Sequence, residues 1–289
     1  MIRHISTCLL LVFSLSKGIS QSGDIVRVEY TLIPENNSGI ETTRYRFLAN
    51  LPIKLNDRSI LITGAEYSTI KFDISTQFPF DQSQLEKLRI IDLNFGYVTK
   101  FSPDWRFIGI VTPRLASNFI EGVESDDFRL NLTASVLHDK KDVERPYRLL
   151  VGLSFNSATG LPFPLPIVSY QRRFHPDWSF ALGIPKANIR YHINKHTLQL
   201  GALLDGYFVN LQDDILLPDG QLGSAVSLSA IVGTLGYQYN FTDIISFYGF
   251  VGYSLTQKGI LRDDNRNNVF LLNDEGNIYF RTGFKISIF

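Results

Sequence analysis

From Ile25 onward, apolar and polar residues alternate with a period of two, and turn-forming residues break the pattern every 10 to 15 positions. Successive side chains on a strand point to opposite faces, so this pattern predicts half-buried strands; an amphipathic helix would repeat every 3.6 residues. Tyr45, Phe47, Ala49, Leu51, Ile53 and Leu55 alternate with Arg44, Arg46, Asn50 and Lys54. Ile91, Leu93, Phe95 and Tyr97 alternate with Asp92, Asn94, Gly96 and Lys100, and Phe128, Leu130, Leu132, Ala134 and Val136 with Arg129, Asn131, Thr133 and Ser135. The same alternation runs through residues 147–155, 198–208, 226–239, 247–255 and 278–288. The polar stretch 82–87 is the one modest helix candidate, a turn or two within a loop.

The breaks are of two kinds. Ser102-Pro103-Asp104, His175-Pro176-Asp177, Asn194-Lys195-His196 and Thr242-Asp243 are tight, whereas residues 36–41, 121–127, 213–223 and 258–276 are long and polar. Short turns at one rim and long loops at the other are the plan of an outer-membrane barrel. The chain therefore predicts an all-β fold, an antiparallel transmembrane β-barrel of about 12 to 14 strands, an even number being the rule for such barrels. A secreted β-sandwich binding module also alternates. The barrel is favoured because the apolar face is rich in Leu, Ile, Phe and Tyr and nearly free of charge in mid-strand, where an outward Arg or Lys would cost about 2 to 4 kcal/mol. On that phase Tyr45, Phe47, Leu93, Phe95, Leu130, Leu132, Leu149 and Val151 point outward.

An internal repeat ties two hairpins together. Phe101-Ser-Pro-Asp-Trp105-Arg-Phe107 recurs as Phe174-His-Pro-Asp-Trp178-Ser-Phe180, and each copy is expected to continue as a strand through a proline and a base, Pro113-Arg114 and Pro185-Lys186. Pro followed by Asp favours a type I turn. Trp105 and Trp178 suit a membrane interface, where a ring is buried while its N–H stays wet, and the repeat places both at the same rim. The plainer reading is a duplicated hairpin that packs well.

Composition narrows the class. The 289 residues carry 28 basic and 28 acidic side chains, 44% are hydrophobic, and the aromatics are 22 Phe, 13 Tyr and 2 Trp. A balanced charge argues against a nucleic-acid partner, and this apolar content against a disordered chain. Arg3 and His4 precede an apolar run from Cys8 to Phe13, and Gly18 and Ser20 are spaced like a signal-peptidase site. Residues 1–20 therefore read as a signal peptide and 21–289 as the barrel domain. The single cysteine, Cys8, falls in the leader, so the secreted chain is expected to hold no disulfide and no cysteine-based metal site.

These features resemble an uncharacterised family of outer-membrane β-barrel proteins of Gram-negative bacteria, a domain of unknown function. The resemblance rests on the leader, the two Phe-x-Pro-Asp-Trp turns, the Leu51-Pro52 and Ile184-Pro185 strand entries, and the ending Arg281-Thr-Gly-Phe-Lys-Ile-Ser-Ile-Phe289, whose Phe289 falls out of phase with the even-numbered apolar residues before it. It implies an outer-membrane location after leader removal, with membrane lipid and the barrel-assembly machinery as partners. It brings no catalytic or ligand residue.

Candidate chemistry is sparse. Barrel lipases place a His and a Ser two apart on one strand so that the imidazole takes the hydroxyl proton, and His138, His175, His192 and His196 all lack such a Ser. The pairs Asp126-Asp127, Asp213-Asp214 and Asp263-Asp264 lie in loops where Asp is common for turn reasons. The stretch 263–268 lacks the Gly and terminal Glu of a calcium loop. No catalytic residue, cofactor site or metal site is predicted. The expectation is a non-enzymatic barrel, structural or a passive channel for small solutes; the alternative of another class is a barrel enzyme acting on lipid or peptide at the rim. The inward phase assigns Arg44, Arg46, Lys54, Lys100, Arg129, Arg148, Arg190, Arg281 and Lys285 to the lumen against Glu29, Asp92 and Asp205, an excess that would favour anions if water fills it.

Overall fold

The computed structural model describes residues 23–159 and 163–288. The predicted leader, residues 1–20, and Phe289 lie outside the described residues. The strands are β1 Gly23–Ile33, β2 Ile40–Lys54, β3 Ser59–Ile74, β4 Lys87–Lys100, β5 Trp105–Ser117, β6 Phe128–Lys140, β7 Tyr147–Phe155 and β8 Leu165–His175. They continue as β9 Trp178–Gly183, β10 Lys186–Ile193, β11 His196–Leu216, β12 Leu222–Asn240, β13 Ile245–Arg262, β14 Asn268–Asn273 and β15 Ile278–Ile288. Each barrel strand pairs antiparallel with its neighbours, and β1 pairs with β15 to close the ring. Fifteen strands fill fourteen positions, because β14 and β15 both pair with β13, one beyond the other.

Closure removes the exposed sheet edge, and alternation then decides which face meets lipid. Tyr45, Phe47, Leu93, Phe95, Leu130, Leu132 and Val151 are all more than a third exposed, and Leu149 shares their phase on β7. Phe101, Trp105, His138, Tyr147, Tyr170 and Phe180 form successive ring contacts around one rim, and His196, Tyr239, Phe241 and Phe284 continue the band on the far side. Such a girdle marks the level of the headgroups.

That rim carries the turns at 55–58, 101–104, 141–146, 176–177, 194–195 and 241–244; the opposite rim carries the long loops 75–86 and 118–127 and the shorter connections 34–39, 184–185 and 217–221. The wall is uneven. β9 and β10 have 6 and 8 residues, whereas β11, β12 and β13 have 21, 19 and 18, well beyond the roughly 9 to 11 that span a bilayer. The tall strands therefore project past the membrane on the long-loop side.

Two expectations are corrected. The second repeat does not continue as one strand: Gly183, at φ 153°, turns the chain, Pro185 sits in the turn, and β10 returns, whereas Pro113 lies within β5 opposite Leu130. The predicted loops 213–223 and 258–276 are largely strand, because β11 and β13 run on and β14 pairs with β13. The helix candidate is a single 3-10 turn, Ser83–Leu85.

Candidate functional site: the barrel lumen

The long-loop half of the lumen is filled. Ile70, Leu88, Val209 and Leu261 are fully buried, and Leu85 and Tyr279 are 1% exposed. β11 leans across the barrel until Asn210 pairs with Ser117 of β5, so two walls separated by several strands touch. Loop 75–86 folds over this contact: Phe78 stacks on Phe80 at 5.3 Å, and Phe80 meets Phe270 of β14 edge-on at 5.1 Å. Loop 118–127 is tied down as well. Asp127, fully buried, accepts hydrogen bonds from Asn210 Nδ2 at 3.2 Å and Gln212 Nε2 at 2.9 Å, while the Gln212 amide donates to Asn118 Oδ1 at 3.1 Å.

Beneath the apolar fill lies an ionic layer. Asp205 of β11 reaches across to β2 and β15: it accepts from Arg44 Nη2 at 2.9 and 2.7 Å, from Arg281 Nη2 at 2.8 Å and from the Tyr279 hydroxyl at 2.7 Å. Glu29 accepts from the Tyr248 hydroxyl at 2.8 Å, with Arg46 at 3.4 Å and Arg281 within 3.7 Å. Glu66 adds contacts to Arg46 at 3.0 Å and Arg27 at 3.2 Å. The Arg44 and Asp205 side chains are only 5% and 6% exposed. Removing one partner of such a buried pair strands the other charge, typically at a cost of about 3 to 5 kcal/mol.

The remaining residues assigned from the sequence separate into distinct places. Asp92 is held by its neighbour Arg114 through two bonds of 2.7 Å, and Arg148 shares Asp139 with Arg106 at 3.2 and 2.8 Å. Arg129 caps the Asp126 and Phe128 carbonyls at the long-loop rim. Lys54 and Lys100 have the inward phase but end their strands, so they reach the short-turn rim and not the lumen; Lys54 pairs with Asp57 of the turn and is 63% exposed. Arg190 donates through Nε to Gln199 Oε1 at 3.1 Å, and the Lys285 ammonium lies 5.8 Å from the Tyr248 ring. Trp105 stacks on His138 at 4.3 Å and Trp178 meets Tyr191 at a tilt at 4.7 Å, both at the short-turn rim.

Sequence reasoning missed the inward acids Glu66 and Asp139, which follow the inward phase and pair with Arg46 and Arg148, and Asp24, which a bulge between Asp24 and Val26 turns inward against the alternation of β1 so that it pairs with Arg27. It also missed a Ser–His contact. The β9–β10 register brings the Ser179 hydroxyl to 2.8 Å from His192 Nε2, while His192 Nδ1 meets the Thr197 hydroxyl at 3.2 Å. The offset rule looks along one strand, whereas these residues face each other across a hairpin; the turn at 183–185 is the signal that would have found them. In nucleophilic catalysis a third group orients the base, often a carboxylate; here that place is taken by a hydroxyl. Among the described residues no group of three or more His, Cys, Asp and Glu side chains is arranged to hold a metal.

Solved barrels resemble the chain in outline. The NanC porin aligns with a TM-score of 0.38 at 12% identity, covering 91% of this chain and 100% of its own. An outer-membrane channel from Pseudomonas putida F1 aligns at 0.44 and 11%, covering 95% and 100%, and outer-membrane phospholipase A from Escherichia coli at 0.38 and 10%, covering 93% and 98%. The barrel assignment rests on this chain's own strand pairing, and the neighbours' roles are not carried to it. No curated protein matches the sequence. The chain belongs to the family described as a domain of unknown function (DUF6268), whose profile matches residues 36–287.

Proposed function

We propose that the protein is an integral outer-membrane barrel of a Gram-negative bacterium with a non-enzymatic role, and that of the two expected roles, structural element and passive small-solute channel, it fills the first in this conformation. The observation behind this reading is the long-loop half, which among the described residues is filled by apolar side chains and crossed by the contact between β11 and β5. Outer-membrane lipid is its solvent and the barrel-assembly machinery its insertion partner. In planar bilayers the purified chain should give no steady conductance in asymmetric KCl. A stable open-channel current would replace the structural role with the channel, and its reversal potential would report the charge preference. Carbonate-washed outer membranes should retain the chain; release into the wash would overturn the membrane reading.

The contact of Ser179 with His192 supports a second reading, a hydrolase working from the short-turn rim. A fluorophosphonate probe tests it directly. Labelling that disappears in Ser179→Ala supports the enzyme, and absence of labelling supports the structural barrel.

A further inference from the structure

We propose that the short-turn half of the lumen holds a binding site for a carboxylate or phosphate group, built from Lys186, Asn188 and Arg190 of β10, Gln199 of β11 and Lys285 of β15. The inference rests on the barrel reading, which makes these side chains luminal, and not on whether the barrel conducts.

The first observation is an imbalance of partners. Arg27, Arg44, Arg46, Arg106, Arg114 and Arg281 each lie within 4.0 Å of a carboxylate. Lys186, Arg190 and Lys285 share the inward phase, and none forms an ion pair among the described residues. Lys186 lies in the field of Arg190, Lys285 and Arg281 against Glu29, and Lys285 in that of Arg190 and Arg27 against Asp24, and neither acid is within ion-pair distance of these lysines. The acids that reach this region are engaged elsewhere, Asp24 with Arg27 and the Ser287 hydroxyl, Glu29 with Arg46 and Tyr248. Cations drawn together away from bulk water without counter-charges are costly, and an entering anion relieves that cost.

The second observation is independent of charge. Asn188 is 5% exposed, and both polar atoms of its side-chain amide are buried without a hydrogen-bond partner. Gln199 Nε2 is likewise buried and unpartnered, although Gln199 Oε1 takes the Arg190 Nε bond. Buried amides are ordinarily satisfied, so unpartnered donors beside unpaired cations describe the complement of an oxyanion.

The register puts these groups side by side. Arg190 faces Gln199 and Asn188 faces Gly201 across the β10–β11 ladder. A Cβ on Gly201 would lie 2.3 Å from the Ala187 carbonyl oxygen and 2.6 Å from the Asn188 Cβ, so only glycine leaves the Asn188 amide this room. Both lysines are held from the opposite flank by rings of β13. The Lys186 ammonium sits 5.1 Å from the Phe250 centroid, and that of Lys285 5.8 Å from the Tyr248 centroid. Cation–π contacts position an ammonium without neutralising it, which leaves its N–H donors for a ligand.

The test is isothermal titration of the full chain in nanodiscs with inorganic phosphate and, separately, with succinate, at fixed ionic strength. Saturable binding of either is expected. It should weaken roughly tenfold or more in Arg190→Gln, which removes a charge-assisted partner, and be largely retained in Arg190→Lys. Asn188→Leu removes amide donors without changing charge and should also weaken binding. Preference for phosphate or for succinate identifies the source of the oxyanion. No binding of either ligand, or binding undiminished in both Arg190→Gln and Asn188→Leu, overturns the site. Loss of the barrel reading itself would appear separately, as failure of the chain to stay with carbonate-washed membranes.

Discussion

In the long-loop half of the lumen, Ile70, Leu88, Val209 and Leu261 fill the space and opposite walls touch; in the short-turn half, Lys186, Arg190 and Lys285 face inward and form no ion pair among the described residues. The tall strands β11 and β13 contribute to both. The contrast follows from where each half lies. The upper parts of β11 to β13 project beyond the bilayer and behave like a small soluble core, gaining by excluding water at about 25 cal/mol per Å² of apolar surface. The lower half is enclosed by lipid and must satisfy its polar groups internally or with what enters from the rim. Between them, Asp205 and Glu29 bind arginines from β2 and β15 and bridge the cross-section.

Substitutions that separate the two halves should rank clearly. Asp205→Ala strands Arg44 and Arg281, and urea unfolding in lipid vesicles should show a loss of about 3 to 5 kcal/mol; wild-type stability would refute the role of the ionic layer. Leu261→Ala opens a cavity in the apolar half and should cost about 2 to 5 kcal/mol in the same assay. Arg190→Gln removes a cation that has no acid, so stability should stay level or rise by about 1 kcal/mol, opposite in sign to the loss at Asp205. A loss as large as that of Asp205→Ala would mean that Arg190 has a stabilising partner. Lys54→Ala, at an exposed pair on the rim, should leave unfolding unchanged.

Much of the barrel was legible because lipid imposes one rule on every strand. Tyr45, Phe95 and Leu132 betray their outward direction by alternation alone. The interior obeys no comparable rule. Nothing local in the sequence joins Asp205 to Arg44, which are 161 residues apart and meet only after the ring has closed. The apolar fill was illegible for a related reason: Val209 and Leu261 lie in stretches where neighbouring positions on both faces become buried, so the contrast that marks a strand fades. Pro185 misled because a proline after a strand reads equally as a continuation, as at Pro113, or as a turn, and the positive φ of Gly183 decides it. The basic phase was visible in Arg190 and Lys285, but the acids that neutralise the rest of the lumen, Glu66 and Asp24 among them, were not counted against it.

The proposal that the cationic half admits anions from the short-turn rim while the other half is closed is tested most directly by thiol labelling in a Cys8→Ser background. Arg190→Cys and Val209→Cys, each reconstituted in vesicles, would be exposed to a membrane-impermeant anionic thiol reagent from both sides of the bilayer. The account predicts modification at position 190, from the short-turn side alone, and none at position 209. Equal modification of the two positions, or modification of 190 from the long-loop side, would contradict it.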